Sequence, residues 1–220
     1  MRIARVSLGA AARGMTSQDG LASSKPADGA GPQGEAPAAG RVYLRAPERS
    51  DRGEFVALMR ASRGFHRPWA TAPTDEEAFE AYLVDSRRPD FQAMLACRRE
   101  DRAILGFFNL SHITRGSLQS AYLGYAVASA YARQGYMREG LELVLREAFL
   151  GLRLHRIEAN IQPGNHASIA LARGAGFSRE GFSPRYLKIS GRWRDHERWA
   201  ILADDWRRRQ DGRRPPGGRG

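Results

Sequence analysis

The chain has 220 residues, 42% of them apolar, and sets 35 Lys and Arg against 24 Asp and Glu for a formal net charge of +11 at pH 7. That size and apolar content suit one globular domain with tails, and no apolar run approaches the roughly 20 residues a helix needs to cross a bilayer. The one cysteine, Cys97, excludes an internal disulfide and a multi-thiolate zinc site, so a soluble cytoplasmic protein with no metal and no membrane partner is expected.

The charge is unevenly spread. Residues 1–40 carry +1, residues 207–220 carry +5 and the 166 residues between them carry +5, too little for a dedicated nucleic-acid footprint. Only Lys25 and Lys188 are lysine, an Arg bias that a GC-rich genome explains as readily as guanidinium chemistry does.

In chain order, 24 of the first 40 residues are Gly, Ala, Ser or Pro, and this extension is expected to be disordered because it cannot bury enough surface to offset its ordering entropy. Met1 to Met15 holds three Arg and no acid, which fits either an organellar targeting segment or a mis-assigned start with Met15 as the alternative. Arg41 to Arg45 alternates as an edge strand, and Pro47 to Arg60 follows as a helix with Pro and acids at its start. Thr74-Asp-Glu-Glu opens a second helix through Phe79, Tyr82 and Leu83. Phe91 to Cys97 and Ile104 to Thr114 form a hairpin around a charged turn, and Ala121 to Ala128 is the third strand of the meander, with Cys97 in the core. After Gly135, the spacing of Met137, Leu141, Val144, Leu145, Ala148 and Phe149 predicts the strongest helix, closed by Gly151. Ile157 to Ile161 alternates as a strand, Asn165 to Arg173 is a short helix, and two more strands run from Phe177 to near Trp206, with Trp193 a strand core residue or, as the alternative, a substrate contact. Arg207 to Gly220 reads as a second disordered tail, either simply solvated or in weak contact with RNA or a ribosome. The alternation of strands and helices predicts a mixed α+β domain over residues 41–206.

The junction from Tyr122 to Met137 carries the chemistry. A strand ends in a short loop and Gly135 opens the long helix, whose first turn has unpaired N–H groups and the positive end of a dipole. Arg133, Gln134, Gly135, Tyr136 and Met137 are therefore placed to hold a pyrophosphate without a metal, although one glycine before a helix also serves purely structural ends.

Five stretches in matching order resemble the GNAT acetyltransferase superfamily in its RimJ-type branch. They are Gly106 to Tyr125, R-Q-G-Y-M-R-E-G-L, G-L-R-L-H-R-I-E-A-N, P-G-N-H-A-S with G-A-G-F-S-R-E-G, and Y-L-K-I-S-G-R-W-R-D-H. The resemblance implies an acyl-CoA N-acyltransferase fold, a mostly antiparallel sheet whose strands at Ala121 and Ile157 splay to admit the pantetheine of acetyl-CoA. It also implies transfer of the acetyl group, by direct attack in a ternary complex, to the N-terminal alanine of a ribosomal protein. An acceptor that is a small amine or antibiotic, and a CoA-binding ribosome- or RNA-associated module without activity, are the alternatives. Against the family pattern Gln/Arg-x-x-Gly-x-Gly/Ala the chain reads Ala132-Arg133-Gln134-Gly135-Tyr136-Met137, so only Gly135 matches, and Arg133 stands where this branch often has Gly.

By the same resemblance, N–H groups around Tyr125, Ala126 and Val127 polarise the thioester carbonyl. The tyrosine many members carry in the helix after the sixth strand is replaced by Ala172, which leaves Ser168 as a proton donor, directly or through water, with packing against CoA or simple capping as the alternative, while Asn165 holds pantetheine or caps the helix. Where RimI-type relatives carry Glu the chain has Asn160, so the base candidates are Glu158, His112 and Tyr122, each with a structural role as the alternative. An α-amine titrates near about 7.7–8.0 and lysine near about 10.4, so an N-terminal acceptor needs the weaker base. Phe65, His66, Trp69, Arg115, Tyr186, Arg192 and His196 fall in segments that border the acceptor site in the superfamily.

Overall fold

A computed structural model describes residues 40–213. The expected disorder and targeting role of the N-terminal extension lie outside the described residues, apart from Gly40, and so does the end of the chain after Arg213.

The sheet has seven strands: β1 (Val42–Arg45), β2 (Phe91–Arg98), β3 (Ile104–Thr114), β4 (Ser120–Val127), β5 (Arg156–Ile161), β6 (Ser178–Ile189) and β7 (Arg192–Leu202), in the order β1-β2-β3-β4-β5-β7-β6. Every neighbouring pair is antiparallel except β4 and β5, which run parallel. Between β1 and β2 lie α1 (Arg52–Ala61), one turn at α2 (Arg63–His66) and α3 (Glu76–Asp85). The two connections that flank β5 are α4 (Tyr136–Arg146), extended by a wide π turn over Glu147–Gly151, and α5 (His166–Ala175). The chain closes on α6 (Ala203–Arg213).

Both faces of the sheet are covered, and strand alternation decides which residue goes where. On one face Ala121, Leu123, Ile157, Ala159 and Ile161 pack with Leu141, Val144 and Leu145 of α4 and with Ala172 of α5. On the other, Ala93, Leu95, Cys97 and Phe107 meet Phe55, Met59, Phe79 and Tyr82 of α1 and α3. Asp75 starts α3 because its carboxylate accepts from the Ala78 N–H at 2.8 Å, so the cap is the second residue of the Thr-Asp-Glu-Glu run.

Three expectations are corrected. β7 ends at Leu202, and Trp206 belongs to α6, where its ring meets Phe149 at 5.6 Å between centroids. The tail is helical to Arg213 because Trp206 anchors it and Arg207 and Arg208 pair with Asp204 and Asp205 one turn back. Arg209 adds a bond to the Gly174 carbonyl at 3.0 Å, which ties the helix to the end of α5. Trp193 is 60% exposed near the tip of the β6–β7 hairpin and is not core.

Gly140 fixes how closely α4 lies on the sheet. A Cβ there would come within 2.7 Å of the Phe108 ring, which is wholly buried. Gly140→Val should therefore lower the unfolding free energy by roughly 1–3 kcal/mol in urea titration, and an unchanged midpoint would mean that the ring has room to move.

Candidate active site

The parallel pairing of β4 and β5 lasts three residues: Ser120 with Arg156, Ala121 with Ile157 and Tyr122 with Glu158. Beyond that rung the strands part, as the family resemblance implied. The Ala128 N–H donates to the Leu105 carbonyl at 2.8 Å, and bonded pairs alternate along an antiparallel ladder. Tyr122, Gly124 and Ala126 therefore bond toward β3, whereas Leu123, Tyr125 and Val127 aim N–H and C=O into the gap. Of the three residues expected to polarise a carbonyl, Tyr125 and Val127 have their amides on the open side and Ala126 turns its amide away. On β5, the Asn160 Oδ1 is buried with no partner among the described residues.

The turn before α4 is built from left-handed residues, Arg133 at φ 62° and Gly135 at φ 85°. The first explains why glycine suits that position, and Arg occupies it at a strain cost of about 1–2 kcal/mol. Among the described residues nothing accepts from the N–H groups of Arg133, Gln134, Gly135, Tyr136 or Met137. Successive open amides of this kind, at the positive end of an eleven-residue helix, form an anion cradle. Arg41 braces it from outside the sheet: its guanidinium donates to the Gln134 carbonyl at 3.0 Å and to Glu139 at 2.8 Å, and stacks 4.6 Å from the Tyr136 ring centroid.

A cavity of about 640 Å³ joins the gap to the turn. Tyr125, Ala126 and Val127 line one wall, Asn165 and Ser168 the opposite one, Arg133, Gly135 and Met137 the turn end, and Phe65, His66 and Trp69 the remaining side. Gln134 and Tyr136 do not line it; the Gln134 side chain donates back to the Ala130 carbonyl at 2.9 Å and Tyr136 is buried, so both offer backbone only. The open amides and the long apolar wall fit a diphosphate joined to a pantetheine arm.

Asn165 caps α5, its Oδ1 accepting the Ser168 N–H at 3.2 Å. The Ser168 carbonyl in turn accepts from the Tyr125 hydroxyl at 3.3 Å. Burial pushes that phenol up to about 12, so it stays protonated and faces α5 where the family's helix tyrosine is missing. Its side chain was overlooked in favour of its amide, although alternation with the buried Ala121 and Leu123 directs it toward α5.

None of the three base candidates lines the cavity. The Glu158 carboxylate accepts from Arg156 at 3.0 Å. His112 is exposed, at φ 52° in a β3 irregularity, with its ring 5.8 Å from Tyr122. The neighbouring Tyr186 hydroxyl, and burial after it, push the Tyr122 phenol up to about 12, which makes it a poor proton acceptor at neutral pH.

The family described as Acetyltransferase (GNAT) domain matches residues 41–178, and the chain belongs to that family. Its relatives include enzymes of RimJ type. A probable N-acetyltransferase of Bacillus subtilis (strain 168), YjcK, is 34% identical over 176 residues, 74% of this chain and 95% of that protein. The [ribosomal protein uS5]-alanine N-acetyltransferase of Escherichia coli (strain K12) is 37% identical over 107 residues, 49% of this chain and 55% of the enzyme's length. Among solved structures, Mycobacterium smegmatis RimJ in complex with CoA-disulfide superposes with a TM-score of 0.69 at 28% identity, covering 78% of this chain and 90% of that one. The chain is accordingly an N-acetyltransferase, of a family that uses acetyl-CoA.

A Cβ at residue 135 would be strained at φ 85° and would meet the Arg41 Nη2 at 3.1 Å. Gly135→Ala is expected to weaken CoA binding about tenfold in isothermal titration, the equivalent of about 1.4 kcal/mol. Unchanged affinity would mean that the turn amides do not hold the diphosphate.

Proposed function

We propose that this enzyme transfers the acetyl group of acetyl-CoA to the N-terminal α-amine of a ribosomal protein, with alanine as the first residue. The observation that carries the reading is the parted β4–β5 pair with the unbonded turn at its end, because together they supply a slot for the thioester and an anchor for the phosphates. Tyr125 and Val127 offer N–H groups to the carbonyl oxygen as it gains charge. The similarity to the uS5-alanine enzyme of E. coli and to M. smegmatis RimJ supports the acceptor class.

A polyamine is the second reading, prompted by 24% identity over 176 residues to the spermidine N(1)-acetyltransferase of Vibrio cholerae. The uS5-alanine enzyme is the more similar of the two, at 37% identity over 107 residues, which favours the ribosomal acceptor.

The test is transfer from labelled acetyl-CoA to a synthetic peptide with the uS5 amino terminus, with the label located by mass spectrometry and spermidine run in parallel. Label on the alanine nitrogen, at a higher kcat/KM than spermidine, is the expected result; label on spermidine alone would replace the proposal with the second reading. The peptide rate should rise with pH and level off above about pH 8, because an α-amine is deprotonated there, whereas a lysine acceptor would still be gaining rate.

A further inference from the structure

His66 closes α2 and is buried, and its Nε2 lies 2.8 Å from the Val127 carbonyl. A carbonyl oxygen only accepts, so Nε2 carries the hydrogen and in the neutral ring Nδ1 holds the lone pair. No group among the described residues bonds to Nδ1. Val127 is one of the β4 residues whose peptide groups face the gap, which puts this imidazole on the cavity wall beside the amides offered to the thioester oxygen. The segment that carries it is fastened on both sides. The Ser129 N–H donates to the Ser62 hydroxyl at 2.8 Å on the β4 side, and the buried Gln162 amide after β5 donates to the Pro68 and Trp69 carbonyls at 3.2 and 3.0 Å.

We propose that His66 Nδ1 is the proton acceptor for the attacking amine. The amine nitrogen forms a bond to the thioester carbon, and one N–H proton passes to Nδ1, directly or through a water. The C–S bond then breaks, the thiolate takes a proton from water, and His66 returns its own to solvent, so acetyl-CoA and amine give amide and CoA with protons balanced. The inference rests on the acetyltransferase reading and not on the alanine acceptor.

The discriminating variant is His66→Gln, whose amide nitrogen reaches the Val127 carbonyl as Nε2 does but which has no basic nitrogen. It is assayed on whichever amine the wild type acetylates, so that a failed alanine peptide removes the substrate reading alone. The kcat is expected to fall at least about a hundredfold, with the KM for acetyl-CoA unchanged and the rate partly restored by free imidazole. A kcat near that of the wild type, or a loss that imidazole leaves untouched, would overturn the proposal and make His66 a latch on β4. If thermal melting shows that the Gln variant does not fold, His66→Asn takes its place under the same two criteria.

Discussion

The site depends on a sheet that stops pairing in its middle. Central strands are normally satisfied on both edges, and an unmet buried backbone group costs about 1–3 kcal/mol. After Tyr122 and Glu158, β4 and β5 give up that pairing, and the fold compensates only in part. His66 covers the Val127 carbonyl, and the segment after α1 bridges from Ser62, bonded to Ser129, to Pro68 and Trp69, bonded to Gln162. This bridge holds the strands at a fixed separation in place of rungs. What it leaves uncovered, the Tyr125 and Val127 amides, is what a ligand can satisfy, so part of the cost of parting the sheet is returned on binding.

The same logic operates at the turn. Two left-handed residues in three, Arg133 and Gly135, tilt consecutive N–H groups outward, and only the second is a residue without steric penalty. The strain at Arg133 persists because Arg41, Glu139 and Tyr136 hold the turn from the side facing β1. A residue just before the first strand thus fixes the shape of a site almost a hundred positions later in the sequence, which makes the anion cradle a property of the folded domain rather than of its local motif.

Elements whose pattern is local were legible in the sequence. The meander, α4 and the strand at Ile157 follow from alternation or helical spacing, and Ile104–Thr114 was placed to the residue. The turn before α4 was legible as a turn, but a single glycine before a helix also serves purely structural ends, and only the family resemblance singled Gly135 out. α6 was not, because its helical stability comes from Trp206 packing on Phe149, a tertiary contact that an Arg-rich composition conceals. Glu158 was a reasonable base by residue type, yet it pairs with Arg156 two positions earlier on the same face of β5, a spacing that the alternation of the strand already contains. His66 lay in a segment without periodicity, and only its bond to a carbonyl sixty-one residues away distinguishes it from a loop histidine.

The missing helix tyrosine at Ala172 need not leave the thiolate without a donor. Tyr125 approaches the same helix from β4, its hydroxyl on the Ser168 carbonyl, and burial holds the phenol protonated, with a pKa pushed up to about 12. Such a group can give a hydrogen bond to a departing sulfur once its one hydrogen leaves the Ser168 carbonyl, and it cannot take a proton from an amine at neutral pH. His66, on the cavity wall beside the β4 amides, has the complementary character, a lone pair set by the carbonyl behind it. A hydrogen-bond donor and a lone pair lining one slot are the arrangement that aminolysis of a thioester requires. Here both are tied to the strand that gave up its partner, Tyr125 by belonging to it and His66 by covering its last carbonyl.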